Sequence, residues 1–237
     1  RFLSAFDDPD VIAGQGTVGI EIAPYTPDVV IVPIGGGGLA SGVALALKSQ
    51  GVRVVGAQVE GVDSMIRAMK GDVTPVNPVA SLADGVRVKV PGFITRRLCT
   101  HLLDDVVIVR EAELRETLVR LALEENLIAE GAGALALAAG RRVAGKRKCA
   151  VVSGGNIDAL ALAALLSEVR PRPPRKPRRR GGEAAAGSRS DAADPALAKK
   201  VAVAKRRPTA TLAPSSSISA PLVPPAPQHV SEEEFTW

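Results

Sequence analysis

The sequence predicts an α/β protein with a mostly parallel sheet covered by helices on both faces. Short runs of β-branched apolar residues alternate with stretches whose apolar residues recur at the helical period. Two of these runs, residues 29–34 and 150–152, are each followed by a glycine-containing turn and then by a helical stretch. Strand, turn and helix in that order form the repeating unit of parallel sheets.

The individual elements follow from the same periodicities. In chain order the sequence predicts a strand at 29–34, a helix at 39–48, a strand at 53–59, a helix near 63–70, a strand at 106–109, a helix at 111–126, a strand at 150–152 and a helix at 157–167. Leu114, Leu118 and Leu121 give the 111–126 helix one apolar face. Three prolines make residues 73–92 a predicted loop.

Charge divides the chain into two parts. Residues 1–169 carry 17 lysines and arginines against 19 acidic residues, whereas residues 170–237 carry 13 against 6. The net charge of +5 therefore comes from the second part, which is rich in Arg, Pro, Ala and Ser and poor in large apolar groups. We predict a globular part at 1–169 and a disordered tail at 170–237. A shifted reading frame or a misplaced gene end is the alternative origin of the tail.

Cysteine usage and hydropathy favour a cytoplasmic protein. Cys99 and Cys149 lie far apart and belong to no CxxC pattern, so neither a disulfide framework nor a zinc site is expected. No signal peptide is visible, and no apolar run reaches the roughly 18 residues of a spanning helix, so no membrane partner is expected. Because the chain begins at Arg1 and not at methionine, we also expect that an N-terminal part is missing.

Four consecutive glycines join the strand at 29–34 to the helix predicted from Leu39. Glycine has no Cβ, so successive backbone N–H groups can turn toward one point, where the helix N-terminus adds partial positive charge. The pattern predicts a phosphate pocket, with a flexible crossover turn as the alternative. It lacks the P-loop lysine and the GxGxxG spacing. A small phosphorylated cofactor is therefore favoured over a nucleoside triphosphate or a dinucleotide.

Six motifs together carry a family resemblance. They are residues 7–9 (Asp-Asp-Pro), 11–17 (Val-Ile-Ala-Gly-Gln-Gly-Thr), 33–39 (Pro-Ile-Gly-Gly-Gly-Gly-Leu), 82–85 (Leu-Ala-Asp-Gly), 130–134 (Glu-Gly-Ala-Gly-Ala) and 153–158 (Ser-Gly-Gly-Asn-Ile-Asp). In this order and spacing, residues 2 to about 167 resemble the C-terminal half of the threonine dehydratases. These are pyridoxal-phosphate enzymes of the serine/threonine dehydratase family, with a tryptophan-synthase-β-like (type II) fold. Serine racemase and serine dehydratase share much of the set.

The resemblance implies a site for pyridoxal 5′-phosphate. The residues it assigns to the 5′-phosphate, through their backbone N–H groups, are Gly35, Gly36, Gly37, Gly38 and Leu39. Ser153 is expected to place its hydroxyl against the pyridine nitrogen, with an ordinary serine in a polar turn as the alternative. Gly85 is expected beside the rim of the cofactor, where a plain loop turn is the alternative.

Other polar residues have supporting roles or none. Glu130 is expected to cap the following helix or to support the residues that touch the cofactor, in preference to direct chemistry, and Asn156 is expected to give similar support. Some relatives hold a divalent cation with a Glu where this chain has Gln58, so we predict no Mg²⁺ there. His101 and His229 complete no hydrolase triad.

The family lysine that forms the Schiff base with the cofactor lies in the N-terminal half and is absent here. We therefore expect no catalytic residue in this chain. The resemblance implies one part of a homo-oligomeric lyase that converts L-threonine, with L-serine as an alternative substrate, to a 2-oxo acid and ammonia. The alternative is a catalytically incomplete phosphate-binding module whose basic tail contacts protein, or nucleic acid non-specifically.

Overall fold

The computed structural model describes residues 3–168. Its helices and strands are α1 (Pro9–Ile22), β1 (Val29–Pro33), α2 (Gly38–Lys48), β2 (Arg53–Val59), α3 (Ser64–Met69), α4 (Phe93–Leu102), β3 (Asp105–Val109), α5 (Glu111–Glu124), α6 (Gly131–Ala139), β4 (Lys148–Ala150) and α7 (Ala159–Ser167). Two short 3-10 helices cover Ala23–Tyr25 and Asp84–Val86. The predicted tail at 170–237 lies outside the described residues.

The four strands form one parallel sheet in the order β3-β2-β1-β4. β1 is buried along its whole length, as expected for a central strand with helices on both faces. β4 is a short strand at one end of this order and pairs with β1 from Val29 to Ile31. The α/β class with a parallel sheet, predicted from the sequence, is confirmed.

Side chains that alternate along β1 enter two separate cores. Val29 and Ile31 pack with the apolar residues of α5, α6 and α7 on one face of the sheet. Val30 and Val32 pack with α2, α3 and α4 on the other face. Both faces are therefore closed by helices, because successive side chains of a strand point in opposite directions.

α1 packs outside α2 through a contact between glycines. Asp8 caps α1 by accepting hydrogen bonds from the N–H groups of Asp10 (2.9 Å) and Val11 (3.4 Å). Gly16 of α1 lies against Gly42 of α2, where the backbone leaves no room for a Cβ on Gly42. The 11–17 motif is thus part of a helix that crosses α2 at close range.

Several element boundaries differ from the sequence prediction. β4 covers 148–150 where 150–152 was predicted, because its pairing partner is the first part of β1. α7 starts at Ala159 and not at 157, since the Asp158 carboxylate caps it by accepting from the N–H groups of Leu160 and Ala161, both at 2.9 Å. α1 and α4 were not predicted as elements, and α6 was expected only as the helix that follows Glu130, without bounds.

None of the helices between residues 3 and 168 is long and apolar enough to cross a membrane.

Candidate functional site

The loop between β1 and α2 combines unpartnered donors with a helix N-terminus. α2 starts at Gly38, and its N-cap residue Gly37 supplies no side-chain acceptor. Within residues 3–168, the backbone N–H groups of residues 35–40 have no hydrogen-bond acceptor, and the first N–H that has one is that of Ser41, which donates to the Gly37 carbonyl at 2.8 Å. Because Gly36 to Gly38 are buried, these donors need a partner that residues 3–168 do not supply.

Two of the four glycines are required by the local geometry. Gly37 has φ +97°, a left-handed conformation that side chains disfavour. The ring of Phe6 lies on the Cα atom of Gly36, so that no Cβ fits there. The loop is therefore covered on one side by an aromatic ring from the segment that precedes α1.

Ser153 lies at the same edge of the sheet as this loop. β1 and β4 are parallel neighbours, Ile31 is paired with Ala150, and the N–H of Val151 donates to the Ile31 carbonyl at 3.0 Å. Ser153 comes three residues after Ala150, in an exposed position. The two strand-to-glycine turns thus leave the carboxyl ends of neighbouring strands, where ligands of parallel α/β proteins collect.

Glu130 connects α6 to the segment that contains Ser153. It occupies the N-cap position of α6, but its side chain makes no capping hydrogen bond. Its carboxylate instead accepts from the N–H of Asn156 at 3.1 Å and packs on Gly154, whose carbonyl accepts from the Glu130 N–H at 3.0 Å. The capping interpretation is therefore wrong for the side chain, which holds the 154–156 turn in place.

Two glycines of α6 bring three of the sequence motifs together. Gly131 lies against the Leu82 carbonyl, and Gly133 lies against the carbonyl of Gly154, with no space for a Cβ at either position. The segments at 82–85 and 153–158 are consequently packed on the first turn of α6. This explains why small residues follow Glu130.

A chain of contacts runs from the glycine loop to Glu130. A Cβ on Gly35 would lie 3.4 Å from the Gly85 carbonyl oxygen, and one on Gly85 would lie 3.1 Å from the Ala132 Cβ and 3.8 Å from a Glu130 carboxylate oxygen. Gly85 itself is exposed. The structure therefore brings Gly35, Gly85, Glu130 and the 154–156 turn into one contiguous group, while their contacts with a cofactor stay predictions.

Two residues that the sequence analysis did not identify hold parts of this group in place. Thr95 of α4 donates its hydroxyl to the Gly36 carbonyl at 2.6 Å. Glu111 at the start of α5 accepts from the Ser81 hydroxyl (2.8 Å) and the Leu82 N–H (2.7 Å), which fixes the segment leading to Gly85. Both contacts span 29 or more residues along the chain, so no local pattern reports them.

Asp7 was the one missed residue with a sequence signal. Its carboxylate accepts from the N–H groups of Phe93 (2.8 Å), Ile94 (2.8 Å) and Thr95 (3.0 Å) at the start of α4. Only one of the two aspartates in the 7–9 motif can cap the helix that follows. Asp8 has that role, which leaves Asp7 free to bind the N-terminus of a distant helix.

Gln58 has a packing role in β2. Its side chain is fully buried, and its Oε1 accepts from the Ile66 N–H of α3 at 3.0 Å. Within the described residues, Gln58 Nε2 and the Ser64 hydroxyl are buried without a hydrogen-bond partner. The absence of Mg²⁺ at this position stays a prediction.

Neither cysteine has the properties of a reactive nucleophile. Burial raises the pKa of the Cys99 thiol to about 11 and also raises the pKa of the Cys149 thiol. Both are free thiols.

Two lysines of the described chain lie at the edge of the sheet opposite the glycine loop. Lys48 ends α2 and pairs with Asp104 at 3.0 Å, and Lys148 starts β4 and donates to the Gly140 and Val143 carbonyls. Both positions belong to the amino-terminal edge of the parallel strands, opposite the carboxyl edge. Lys70, Lys89 and Lys146 are exposed.

Comparison with known proteins gives a consistent family. The sequence profile described as pyridoxal-phosphate dependent enzyme matches residues 1–155. The chain is 46% identical to L-threonine ammonia-lyase of Thermotoga maritima over 165 residues, which cover 66% of this chain and 41% of the relative. It is 43% identical to the catabolic L-threonine dehydratase of Escherichia coli over 168 residues, covering 66% of this chain and 51% of the relative. The chain thus spans about half the length of these curated relatives.

A solved structure agrees with the sequence matches. The processed form of threonine deaminase isoform 2 from Solanum lycopersicum superimposes with a TM-score of 0.65 at 31% identity, over 70% of this chain and 49% of that one. Pyridoxal phosphate is the cofactor of the matched family. The unpartnered N–H groups at a helix N-terminus suit the phosphate of that cofactor, since such groups bind anions elsewhere. The chain belongs to the pyridoxal-phosphate dependent enzymes.

Proposed function

We propose that this chain forms the cofactor-phosphate part of an ammonia-lyase that converts L-threonine to a 2-oxo acid and ammonia, with L-serine as a second possible substrate. The observation that carries the proposal is the set of unpartnered backbone N–H groups at residues 35–40. The relatives named for threonine support the choice of substrate.

In the proposed site the backbone binds the phosphate. The N–H groups of Gly35 to Gly38 and Leu39 donate to phosphate oxygens, and the partial positive charge at the start of α2 adds to the attraction. Because these donors are fixed by the fold, they need no reorganisation when the anion binds. No lysine or arginine is required at this end of the cofactor.

The other predicted site residues orient the ring of the cofactor. Pyridoxal phosphate supplies an electron-withdrawing ring that stabilises negative charge at the substrate Cα. Ser153 offers its hydroxyl to the ring nitrogen, and a neutral hydroxyl leaves that nitrogen largely unprotonated. Gly85 lets the backbone come close to the ring, while Glu130 and Asn156 fix the turn that carries Ser153.

The chemistry also needs a Schiff-base lysine, which the family resemblance places outside the matched residues. Loss of the Cα proton and of the β-hydroxyl requires a base next to the bound amino acid. The lysines of residues 3–168 lie at the opposite sheet edge or on the exposed surface. We therefore propose that another polypeptide segment, equivalent to the half of the relatives that is not matched, supplies it.

Ligand binding by the 237-residue chain tests the phosphate site. We expect pyridoxal phosphate to bind at least about tenfold more tightly than pyridoxal, since only the former has the phosphate that residues 35–40 recognise. Inorganic phosphate should compete. Equal affinity for the two compounds, measured by fluorescence titration, would contradict the proposal.

Complementation tests the reaction. The chain would be co-expressed with the N-terminal half of the Thermotoga maritima relative, and 2-oxo acid formation would be followed with L-threonine and with L-serine. We expect product from L-threonine, and product that disappears when either half is omitted. A stable complex that binds the cofactor but releases no 2-oxo acid favours the alternative of a catalytically incomplete phosphate-binding module.

A further inference from the structure

The hydroxyl of Thr95 makes a buried contact with the glycine loop from the neighbouring helix. Thr95 is fully buried in α4, and its Oγ1 donates to the Gly36 carbonyl at 2.6 Å. The same side chain packs on the next residue, since a Cβ on Gly37 would lie 2.9 Å from the Thr95 Cβ. The Gly36–Gly37 peptide therefore has a specific partner on its carbonyl side.

Because the peptide bond is planar, this contact also sets the direction of the Gly37 N–H group. The peptide between Gly36 and Gly37 is trans, so the Gly36 carbonyl and the Gly37 N–H point in opposite directions in one plane. A hydroxyl that holds the carbonyl toward α4 consequently turns the N–H away from α4. That N–H is one of the group without an acceptor in the described chain.

Thr95 is itself fixed by two further groups. Its N–H donates to the Asp7 carboxylate at 3.0 Å, together with the N–H groups of Phe93 and Ile94. Its carbonyl accepts from the Ser41 hydroxyl of α2 at 3.4 Å. The first turn of α4 is thus tied both to the segment before α1 and to the helix that follows the glycine loop.

A second threonine in α4 makes the hydrogen bond that is usual for a threonine inside a helix. Thr100 is exposed, and its hydroxyl donates within the helix to the Arg96 carbonyl at 2.8 Å. Thr95 stands at the third position of α4, and its hydroxyl crosses to a residue 59 positions away. The two residues therefore form a matched pair of the same type on the same helix.

We propose that Thr95 is a positioning residue for the phosphate site. Its hydroxyl orients the Gly36–Gly37 peptide so that the Gly37 N–H is presented to the phosphate, and Asp7 sets the position of Thr95 by holding the start of α4. The proposal rests on the proposed function of the glycine loop as a phosphate site. The proposal adds the side chains of Thr95 and Asp7 to the residues that support the site, although neither contacts the ligand.

The test uses the 237-residue chain with Thr95→Val, Thr95→Ser and, as control, Thr100→Val. Valine keeps the shape and removes the donor, whereas serine keeps the donor. We expect Thr95→Val to weaken the binding of inorganic phosphate and of pyridoxal phosphate about tenfold, as the loss of one charge-assisted hydrogen bond would. Thr95→Ser and Thr100→Val should stay within about twofold of the parent chain. Unchanged affinity in Thr95→Val would overturn the proposal.

The amide resonance and hydrogen exchange of Gly37 give a readout that does not depend on the ligand. We expect both to change in Thr95→Val, to be restored in Thr95→Ser and to be unaffected in Thr100→Val. If the parent chain binds neither phosphate nor the cofactor, the proposed function fails, and the Gly37 signal still decides the role of Thr95. An unaltered Gly37 signal in Thr95→Val would overturn that role.

A second variant covers the case in which Thr95→Val does not fold. Asp7→Asn leaves one acceptor oxygen where there were two, so the start of α4 is held less firmly. We expect weaker phosphate binding and a changed Gly37 amide signal, with Asp10→Asn in the exposed first turn of α1 as the control. If Asp7→Asn binds phosphate as tightly as the parent chain and its Gly37 amide signal is unchanged, the proposal is contradicted.

Discussion

Single leucines of α5 contribute unequally to the stability of the fold. Leu118 is 2% exposed and belongs to the core on one face of the sheet, whereas Leu123 is 55% exposed on the same helix. Large-to-small changes cost most where the surrounding atoms cannot fill the cavity that is left.

We expect Leu118→Ala to lower the free energy of unfolding by about 2–5 kcal/mol. Leu123→Ala should change it by less than about 0.5 kcal/mol, since its side chain is mostly in water already. Urea denaturation of the two variants beside the parent chain measures the difference. Equal losses would mean that α5 does not pack on the sheet as described.

A carboxylate in the first turn of α5 links three parts of the chain. Glu113 binds Arg110 and Arg142, and Arg142 also donates to the Ile108 carbonyl of β3 at 2.6 Å. The hydrogen bonds from Arg142 and Arg110 lower the pKa of Glu113 to about 2 from its ordinary value of 4.5. The contribution to stability is therefore complete above about pH 4.5 and is lost as the pH falls toward 2.

Glu113→Gln removes this source of acid sensitivity. We expect the free energy of unfolding of the parent chain to fall more steeply between pH 5 and pH 3 than that of the variant. Glu124→Gln, an exposed change at the other end of the same helix, serves as the control and should leave the slope as in the parent. Identical slopes for the parent and Glu113→Gln would show that the ion pair does not form.

The N-terminus of α2 allows a direct test of the anion site. Leu39→Pro removes one unpartnered N–H, and proline is tolerated in the first turn of a helix because no intrahelical bond is lost. We expect phosphate binding to weaken about tenfold, the effect of one charge-assisted hydrogen bond. Ala112→Pro makes the same change at the same position of α5 and should leave binding intact. Equal binding by all three chains in a calorimetric titration would show that this N–H has no ligand.

The periodicity of apolar residues was sufficient to predict those elements in which the apolar residues are also the buried ones. β1, β2 and α5 follow that rule, and α5 ends near its predicted boundary because Asn126 adopts φ +53°. α1 was missed because glycines lower helix propensity, whereas here Gly16 and Gly19 allow close contact with α2. Tertiary packing outweighs local preference at such positions.

The candidate site was predictable only in part, for a related reason. Gly35 to Gly38 and the 153–156 turn each carry a local signal, and the parallel sheet places both at one edge. Thr95, Asp7 and Glu111 act across long separations in the chain, which a single sequence does not report. The roles of Thr95 and Glu111 follow from the fold and not from any motif, whereas Asp7 belongs to the 7–9 motif.

Charge is separated along the chain. Residues 170–237 hold the basic excess, while residues 1–169 carry slightly more acidic than basic groups. Any affinity for nucleic acid should therefore come from the tail and depend strongly on salt, because it arises from neutralised phosphates.

Deletion of residues 170–237 tests this separation. We expect the full chain to be retained weakly on immobilised DNA at about 50 mM salt and released by about 200 mM, and the shortened chain to flow through at both. Filter binding with two unrelated sequences should give the same result for each, since few aromatic residues are present to stack on bases. Retention of the shortened chain would assign the binding to the folded part.

The aromatic ring on Gly36 and the left-handed backbone of Gly37 have an implication for laboratory evolution. Larger amino acids do not fit at residue 36 or residue 37 for steric reasons alone. A library selected only for soluble expression would therefore keep glycine at both positions, whether or not vitamin B6 is in the medium. Leu39 already has a side chain and is only half-buried, and only proline would remove its backbone donor. A selection with the vitamin should therefore deplete proline at this position, whereas a selection without it should not.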